Sequence, residues 1–96
     1  MRSVTNRSAI TAKVIGRVQG VGFRYTTADV ARELGLTGWV RNTPDGGVQV
    51  RAQGDERILE RFVAFLEEGP RAARVASVDV HPAAFDPALE GFTVRS

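Results

Sequence analysis

The sequence of 96 residues predicts one α+β domain with a ferredoxin-like βαββαβ sandwich, an open antiparallel sheet that carries two helices on one face. Three observations lead to this prediction. Alternating apolar residues indicate several short strands, and two longer stretches have the apolar spacing of amphipathic helices. These elements follow one another in the order of a split βαβ fold, and a short alternating segment near the end adds a C-terminal edge strand.

The first strand and the first helix flank a glycine-rich stretch. Apolar and polar residues alternate over residues 10–15, which indicates a strand that ends where the glycines begin. The apolar spacing of residues 24–34 predicts a helix, and Gly35 is a suitable residue to end it. The second strand is predicted over residues 37–43, around Trp39.

A hairpin and a second helix follow. The sequence TPDGG at residues 43–47 favours a tight turn, because proline presets one backbone dihedral and Asp-Gly supplies a left-handed one. A broad apolar stripe over residues 58–66 predicts the second helix, with Asp55 as its N-cap and the glycine and proline at 69–70 as its end. Alternation predicts the remaining strands over residues 48–52, 75–80 and 91–95.

The composition narrows the class of protein. The absence of cysteine excludes disulfides, thiolate nucleophiles and zinc–sulfur sites, and a formal net charge of +2 argues against a nucleic-acid-binding face. No apolar run is long enough for a signal peptide or a membrane helix. We therefore expect a cytoplasmic monomer without nucleic-acid or membrane partners, with a flexible tail over residues 1–8 and a single domain over residues 9–96.

The predicted topology brings two distant segments together. In a split βαβ fold the first and second strands are parallel and the third strand lies between them, so their C-terminal ends share one edge of the sheet. The two ends are then about two strand spacings apart, roughly 10 Å. Residues 17–22, after the first strand, are therefore expected near Arg41 and Asn42 at the end of the second.

The glycine-rich stretch GRVQGVGFR, residues 16–24, has the features of an anion-binding loop. Gly20 and Gly22 let backbone N–H groups converge just before a helix N-terminus, and Arg24 can add a bidentate guanidinium. Neither a Walker A loop nor a dinucleotide fingerprint matches, since no Gly-Lys is present and the third glycine is missing. From spacing alone, a plain strand–helix turn with a solvated arginine is an equally good interpretation.

Residues 16–24 closely resemble the acylphosphatase signature. Residues 38–42, followed by Asp45 and Gly46, are similar to the second motif of that family, and residues 92–95 to its C-terminal strand. The resemblance covers about residues 10–95 and implies a ferredoxin-like hydrolase that cleaves the carboxyl–phosphate bond of acyl phosphates.

The resemblance also implies a set of site residues. Arg24 and Asn42 are the implied catalytic residues, Arg24 as a ligand of the phosphoryl group and Asn42 as the group that positions the attacking water. The implied phosphate-binding residues are Gln19, Gly20, Val21, Gly22, Phe23 and Arg24. No metal and no cofactor are implied, and the expected partners are a small-molecule acyl phosphate and inorganic phosphate or sulfate as product-like ligands.

The chemistry agrees with a site that has no histidine, cysteine or carboxylate. The leaving group of an acyl phosphate is a carboxylate, whose acid has a pKa of about 4–5, so it departs without a general acid. What remains is to position water and to neutralise charge on the phosphoryl oxygens. The Asn42 amide oxygen can accept a hydrogen bond from that water, although the side chain could instead bond the turn at 43–47.

Two other functions share this predicted fold. An RNA-recognition domain has the same element order, but it needs aromatic residues on its third strand, and residues 48–52 contain none. A regulatory unit similar to the N-terminal domain of a hydrogenase-maturation protein would belong to a much longer chain, so the length favours a free-standing enzyme. Phe23, Tyr25 and Trp39 are expected to support the core or the loop.

Overall fold

The computed structural model describes residues 6–96 and contains every predicted helix and strand in the predicted order. The elements are β1 (Arg7–Arg17), α1 (Phe23–Glu33), β2 (Thr37–Asn42), β3 (Val48–Asp55), α2 (Glu56–Glu68), β4 (Arg74–Ala83) and β5 (Phe92–Arg95). Over these residues neither helix has the length and apolar character needed to cross a membrane.

The sheet has the strand order β4-β1-β3-β2-β5. Both β1 and β2 pair antiparallel with β3, so they run parallel to each other and their C-terminal ends lie at the same edge of the sheet, as predicted. The short β5 pairs in parallel with β2, so the complete five-stranded sheet is mixed, while the four strands of the βαββαβ unit are antiparallel neighbours. This arrangement places the ends of β1, β2 and β5 close to the start of α1.

The strand β1 is longer than predicted at both ends. Residues 1–5 of the expected tail lie outside the described residues, but Arg7 and Ser8 already pair with β3. At the other end the strand continues through Gly16, where the register against β4 shifts. A Cβ on Gly16 would lie 2.1 Å from the Arg74 carbonyl oxygen, so the close approach of β4 requires glycine at this position.

Both helices pack on one face of the sheet and bury their apolar stripes there. The buried side chains of α2 are Leu59, Phe62 and Leu66, and Phe62 meets Phe92 of β5 edge to face at 6.0 Å. The N-cap prediction for α2 is confirmed, because Asp55 accepts hydrogen bonds from two backbone amides of the first turn. The helix ends at Gly69, which has a positive φ of 72°.

Candidate active site

A glycine in the left-handed conformation begins α1. Gly22 is the N-cap residue with φ 77° and ψ 14°, and no side chain caps the helix. The first helical hydrogen bond runs from the Thr26 amide to the Gly22 carbonyl oxygen at 3.0 Å. The N–H groups that precede Thr26 in the first turn therefore have no partner inside the helix, and with the helix dipole they favour an anion at this end.

The first turn of α1 borders a small cleft of about 190 Å³. It is lined by Val18, Gly20, Gly22, Phe23, Arg24, Tyr25 and Asn42. Two motifs that end at Arg24 and at Asn42, well separated in the chain, therefore meet in one concavity. The topology accounts for this meeting, because β1 and β2 end at the same sheet edge.

The cleft differs from the predicted phosphate-binding set in four residues. Gln19 and Val21 do not line it: Gln19 points its amide group at the β2–β3 turn, and Val21 packs against the core. Val18 and Tyr25 do line it, and sequence reasoning missed both as site residues. Within the loop, residues 18, 20 and 22 line the cleft and residues 19 and 21 do not, so an alternation along the loop could have indicated Val18, whereas Tyr25 lies in the first turn of α1.

Arg24 is the charged residue among those that line the cleft. Its side chain is half-buried, and one of its terminal nitrogens donates to the Arg95 carbonyl oxygen of β5 at 2.8 Å. The guanidinium also lies 5.8 Å from the centre of the Tyr25 ring. A guanidinium has five N–H donors in a planar fork, so a contact with β5 fixes its direction and leaves donors for an anion.

Asn42 lines the same cleft and carries an unpartnered acceptor. The residue is half-buried, and its side-chain oxygen Oδ1 is buried without a hydrogen-bond partner. A buried polar atom of this kind costs free energy unless a ligand or water pairs with it. The hydrogen bonds of the turn at residues 43–47 come from other groups, so the structure does not support the alternative in which Asn42 bonds that turn.

The turn after Asn42 is fixed by charge as well as by backbone hydrogen bonds. Asp45 accepts from the Lys13 ammonium at 2.7 Å, from the Thr43 hydroxyl and from the Gly47 amide at 3.2 Å. The Lys13 ammonium, followed by these two donors, holds the pKa of Asp45 well below its usual range. The end of β2 that carries Asn42 is thus tied to β1.

The aromatic residues near the site fulfil different roles. Phe23 is buried in the core, whereas Tyr25 is 64% exposed and lines the cleft, so of the two roles expected for Tyr25 the core is excluded and support of the loop is left open. Trp39 is half-buried, with the guanidinium groups of Arg41 and Arg95 at 5.6 and 4.7 Å from its ring. Arg41 is exposed and absent from the lining of the cleft.

A larger groove elsewhere has the wrong charge for a phosphate site. It encloses about 380 Å³ between α2 and the sheet, beside the start of β1, and the charged residues that line it are Glu56 and Glu60. Two carboxylates repel an anionic ligand, whereas the smaller cleft combines a guanidinium with helix amides. Within residues 6–96 no cluster of three or more histidine and acidic side chains is placed to hold a metal ion.

Comparison with known proteins agrees with this architecture. A family model described as acylphosphatase matches residues 10–94. An acylphosphatase from Salinibacter ruber is 50% identical over 86 residues, which cover 90% of each chain. A solved acylphosphatase structure from Coxiella burnetii superimposes with a TM-score of 0.89, at 37% identity, over 94% of each chain.

The fold also occurs inside a longer protein. In HypF from T. kodakarensis the match has a TM-score of 0.80 and 30% identity, and it covers 93% of this chain but 12% of HypF. The curated acylphosphatase from Salinibacter ruber is instead matched over nine-tenths of its length. On the family match, the sequence identity and the shared fold, the chain belongs to the acylphosphatase family.

Proposed function

We propose that this member of the acylphosphatase family hydrolyses the carboxyl–phosphate bond of acyl phosphates in the cleft between α1 and β2, without a metal ion. One observation carries the proposal. Asn42, whose side-chain oxygen is buried and unpartnered among residues 6–96, lines the same cleft as Arg24 and the start of α1. Such a cleft offers donors for a phosphoryl group and one acceptor for a water molecule.

The loop and Arg24 bind the phosphoryl group in this proposal. Uncharged N–H donors come from the backbone amides of Gly20, Gly22, Phe23 and Arg24. Arg24 adds a permanent positive charge in a bidentate geometry, held in direction by its contact with the Arg95 carbonyl oxygen. Together they stabilise the charge on the non-bridging oxygens, which phosphoryl transfer requires.

Asn42 directs the attacking water. Its Oδ1 accepts a hydrogen bond from the water and turns a lone pair of the water oxygen toward phosphorus. A new bond forms between that oxygen and phosphorus, and the bond from phosphorus to the acyl oxygen breaks. The electron pair leaves with the carboxylate, which needs no proton, and the proton lost by the water passes to an oxygen of the phosphate itself.

The family implies a small phosphate-containing substrate, and we propose acyl phosphates as that class. Inorganic phosphate is the product and should compete for the cleft, and sulfate should imitate it because both are tetrahedral anions. A monomeric state and a cytoplasmic location stay predictions from the sequence.

The direct test is hydrolysis of benzoyl phosphate and acetyl phosphate, each measured with and without a chelator. Arg24→Lys keeps the charge but removes the planar fork, so it should lose most of the activity. Arg61→Lys makes the same exchange on the exposed surface of α2 and is the matched control.

Equal turnover with and without the chelator, and loss in Arg24→Lys alone, is the expected outcome. Turnover of Arg24→Lys close to that of Arg61→Lys would reject the assigned role of Arg24. No hydrolysis of either substrate by the unsubstituted protein would reject the proposed function.

A further inference from the structure

Gln19 connects the glycine-rich loop before α1 to the turn that follows Asn42. Its side-chain nitrogen Nε2 donates both of its hydrogens to main-chain oxygens of the β2–β3 turn, to Thr43 at 2.8 Å and to Gly47 at 2.8 Å. In the chain, Gln19 directly precedes Gly20, which lines the cleft, and Thr43 directly follows Asn42. The side chain thus spans from the loop with the free amides to the residue beside the unpartnered carboxamide.

The turn does not need these bonds in order to close. The Thr43 carbonyl oxygen also accepts from the Gly46 amide at 3.1 Å, and the Gly47 carbonyl oxygen also accepts from the Thr43 amide at 3.0 Å. Asp45 fixes the same turn from its other side through Lys13. Removing the Gln19 amide therefore leaves no carbonyl of the turn without a donor, and the hairpin keeps its own hydrogen bonds.

What the two bonds fix is the separation between the loop and the end of β2. The loop has no regular secondary structure from residue 18 to residue 22, so its position relative to β2 is not set by the sheet ladder. A half-buried primary amide that donates two diverging N–H bonds from one nitrogen to two fixed oxygens fixes both a distance and a direction. An apolar side chain of the same length would fill the space but would let the loop and the turn move apart.

We propose that Gln19 is a positioning residue that holds Asn42 at its working distance from the anion-binding loop, a role that rests on the function proposed above. Its side chain does not touch the substrate, because both of its hydrogens are used on the turn. The family resemblance implies Gln19 as one of the phosphate-binding loop residues, and the positioning role proposed here concerns its side chain only. Gln19 therefore affects kcat by positioning Asn42, whereas the affinity for phosphate depends on the loop amides and Arg24.

The test exchanges Gln19 for methionine, which has nearly the same length, no donor and no charge. Gln49→Met is the matched control, since Gln49 is also half-buried but lies on β3 outside the lining of the cleft. The measurements are kcat with benzoyl phosphate, the inhibition constant of inorganic phosphate, and urea unfolding. The same exchange is then repeated in an Asn42→Ala background, which completes a double-mutant cycle.

Gln19→Met is expected to lower kcat by about 10- to 100-fold, the effect of a displacement of about 1 Å in a reacting geometry, and to change the phosphate inhibition constant by less than about threefold. Gln49→Met should change neither value. In the Asn42→Ala background the same exchange should lower kcat by less than about threefold, because the group that Gln19 positions is already absent.

Three results would overturn the role of Gln19 while leaving the proposed function intact. These are an unchanged kcat in Gln19→Met, an equal fall of kcat with and without Asn42, and a failure of Gln19→Met to fold. The last would show that the two bonds hold the hairpin together and do not serve to position Asn42. Absence of turnover in the unsubstituted protein would instead reject the proposed function, and this role with it.

Discussion

Replacing Asn42 by alanine should lower activity strongly without lowering stability. Its buried oxygen Oδ1 has no hydrogen-bond partner among the protein groups of residues 6–96, so removing the side chain breaks no hydrogen bond within that part of the protein. Leaving a buried polar group unpaired costs about 1–3 kcal/mol. Asn42→Ala removes this cost together with the group that we propose orients the attacking water.

The expected magnitudes follow from these two roles. Loss of one preorganised hydrogen-bonding group in an active site lowers kcat by about 10²- to 10³-fold, or about 2.7–4 kcal/mol of transition-state stabilisation. The free energy of unfolding should be unchanged or should rise by up to about 1 kcal/mol, because no hydrogen bond to the Asn42 oxygen is lost and the residue is only half-buried. Phosphate affinity should stay within about threefold of the original value.

The assay combines benzoyl phosphate hydrolysis, inhibition by inorganic phosphate and urea unfolding on the same protein samples. Asn42→Asp is the companion variant, since it keeps an acceptor oxygen of the same size and adds a negative charge beside a dianion. It should weaken phosphate binding, whereas Asn42→Ala should not. A loss of phosphate affinity in Asn42→Ala as large as its loss of kcat would show that Asn42 binds the anion. A clear loss of stability would show that its side chain has a structural partner.

Three further predictions concern neighbouring parts of the fold. Gly22→Ala and Gly35→Ala should each lower the free energy of unfolding by about 1–2 kcal/mol, because both glycines have left-handed φ angles, of 77° and 73°. An added Cβ meets no atom within 4 Å at either position, so backbone strain is the common cause. Only Gly22→Ala should also weaken phosphate binding in a titration. In urea unfolding, Asp45→Asn should lower stability at neutral pH, and this difference should shrink as the pH falls below about 4. Asp55→Ala should lower the free energy of unfolding by about 1 kcal/mol, since two amides of α2 lose their cap.

The sign for Asp45 follows from the direction of its pKa shift. The pKa is lowered in the folded protein, so the native state holds the proton less tightly than the unfolded chain does. The stabilisation is therefore complete above the unfolded pKa and is lost as the pH falls toward the folded value. A stability difference that stays constant into strong acid would contradict this. Equal loss of phosphate binding in Gly22→Ala and Gly35→Ala would contradict the special role of the α1 N-terminus.

The sequence predicted the fold well because its elements carry local signals. Alternation, the TPDGG turn and the Asp55 cap each depend on residues close together in the chain, and the structure shows the corresponding strands, hairpin and helix start. The proximity of Arg24 and Asn42 could also be predicted, since the order of elements fixes which strand ends share a sheet edge. The order of the elements, which local patterns predict, is thus enough to predict that Arg24 and Asn42 lie close together.

The contacts that shape the site carried no such signal. Arg24 is held by a main-chain oxygen of Arg95, 71 positions away, and any residue type supplies that oxygen. Gln19 likewise bonds main-chain oxygens of the turn, so its role could not be read from the side chains around it. The parallel pairing of β5 with β2 and the exposure of Tyr25 depend on packing at the sheet edge, which periodicity does not describe.

In the proposed reaction the cleft directs water at phosphorus and not at the carbonyl carbon of the acyl group. Hydrolysis of benzoyl phosphate in water labelled with ¹⁸O tests this directly, because the label remains in the product that was attacked. Attack at phosphorus should leave one labelled oxygen in the inorganic phosphate and none in the benzoate. Label in the benzoate would contradict it, since the loop amides, Arg24 and Asn42 would then not be acting on the phosphoryl group.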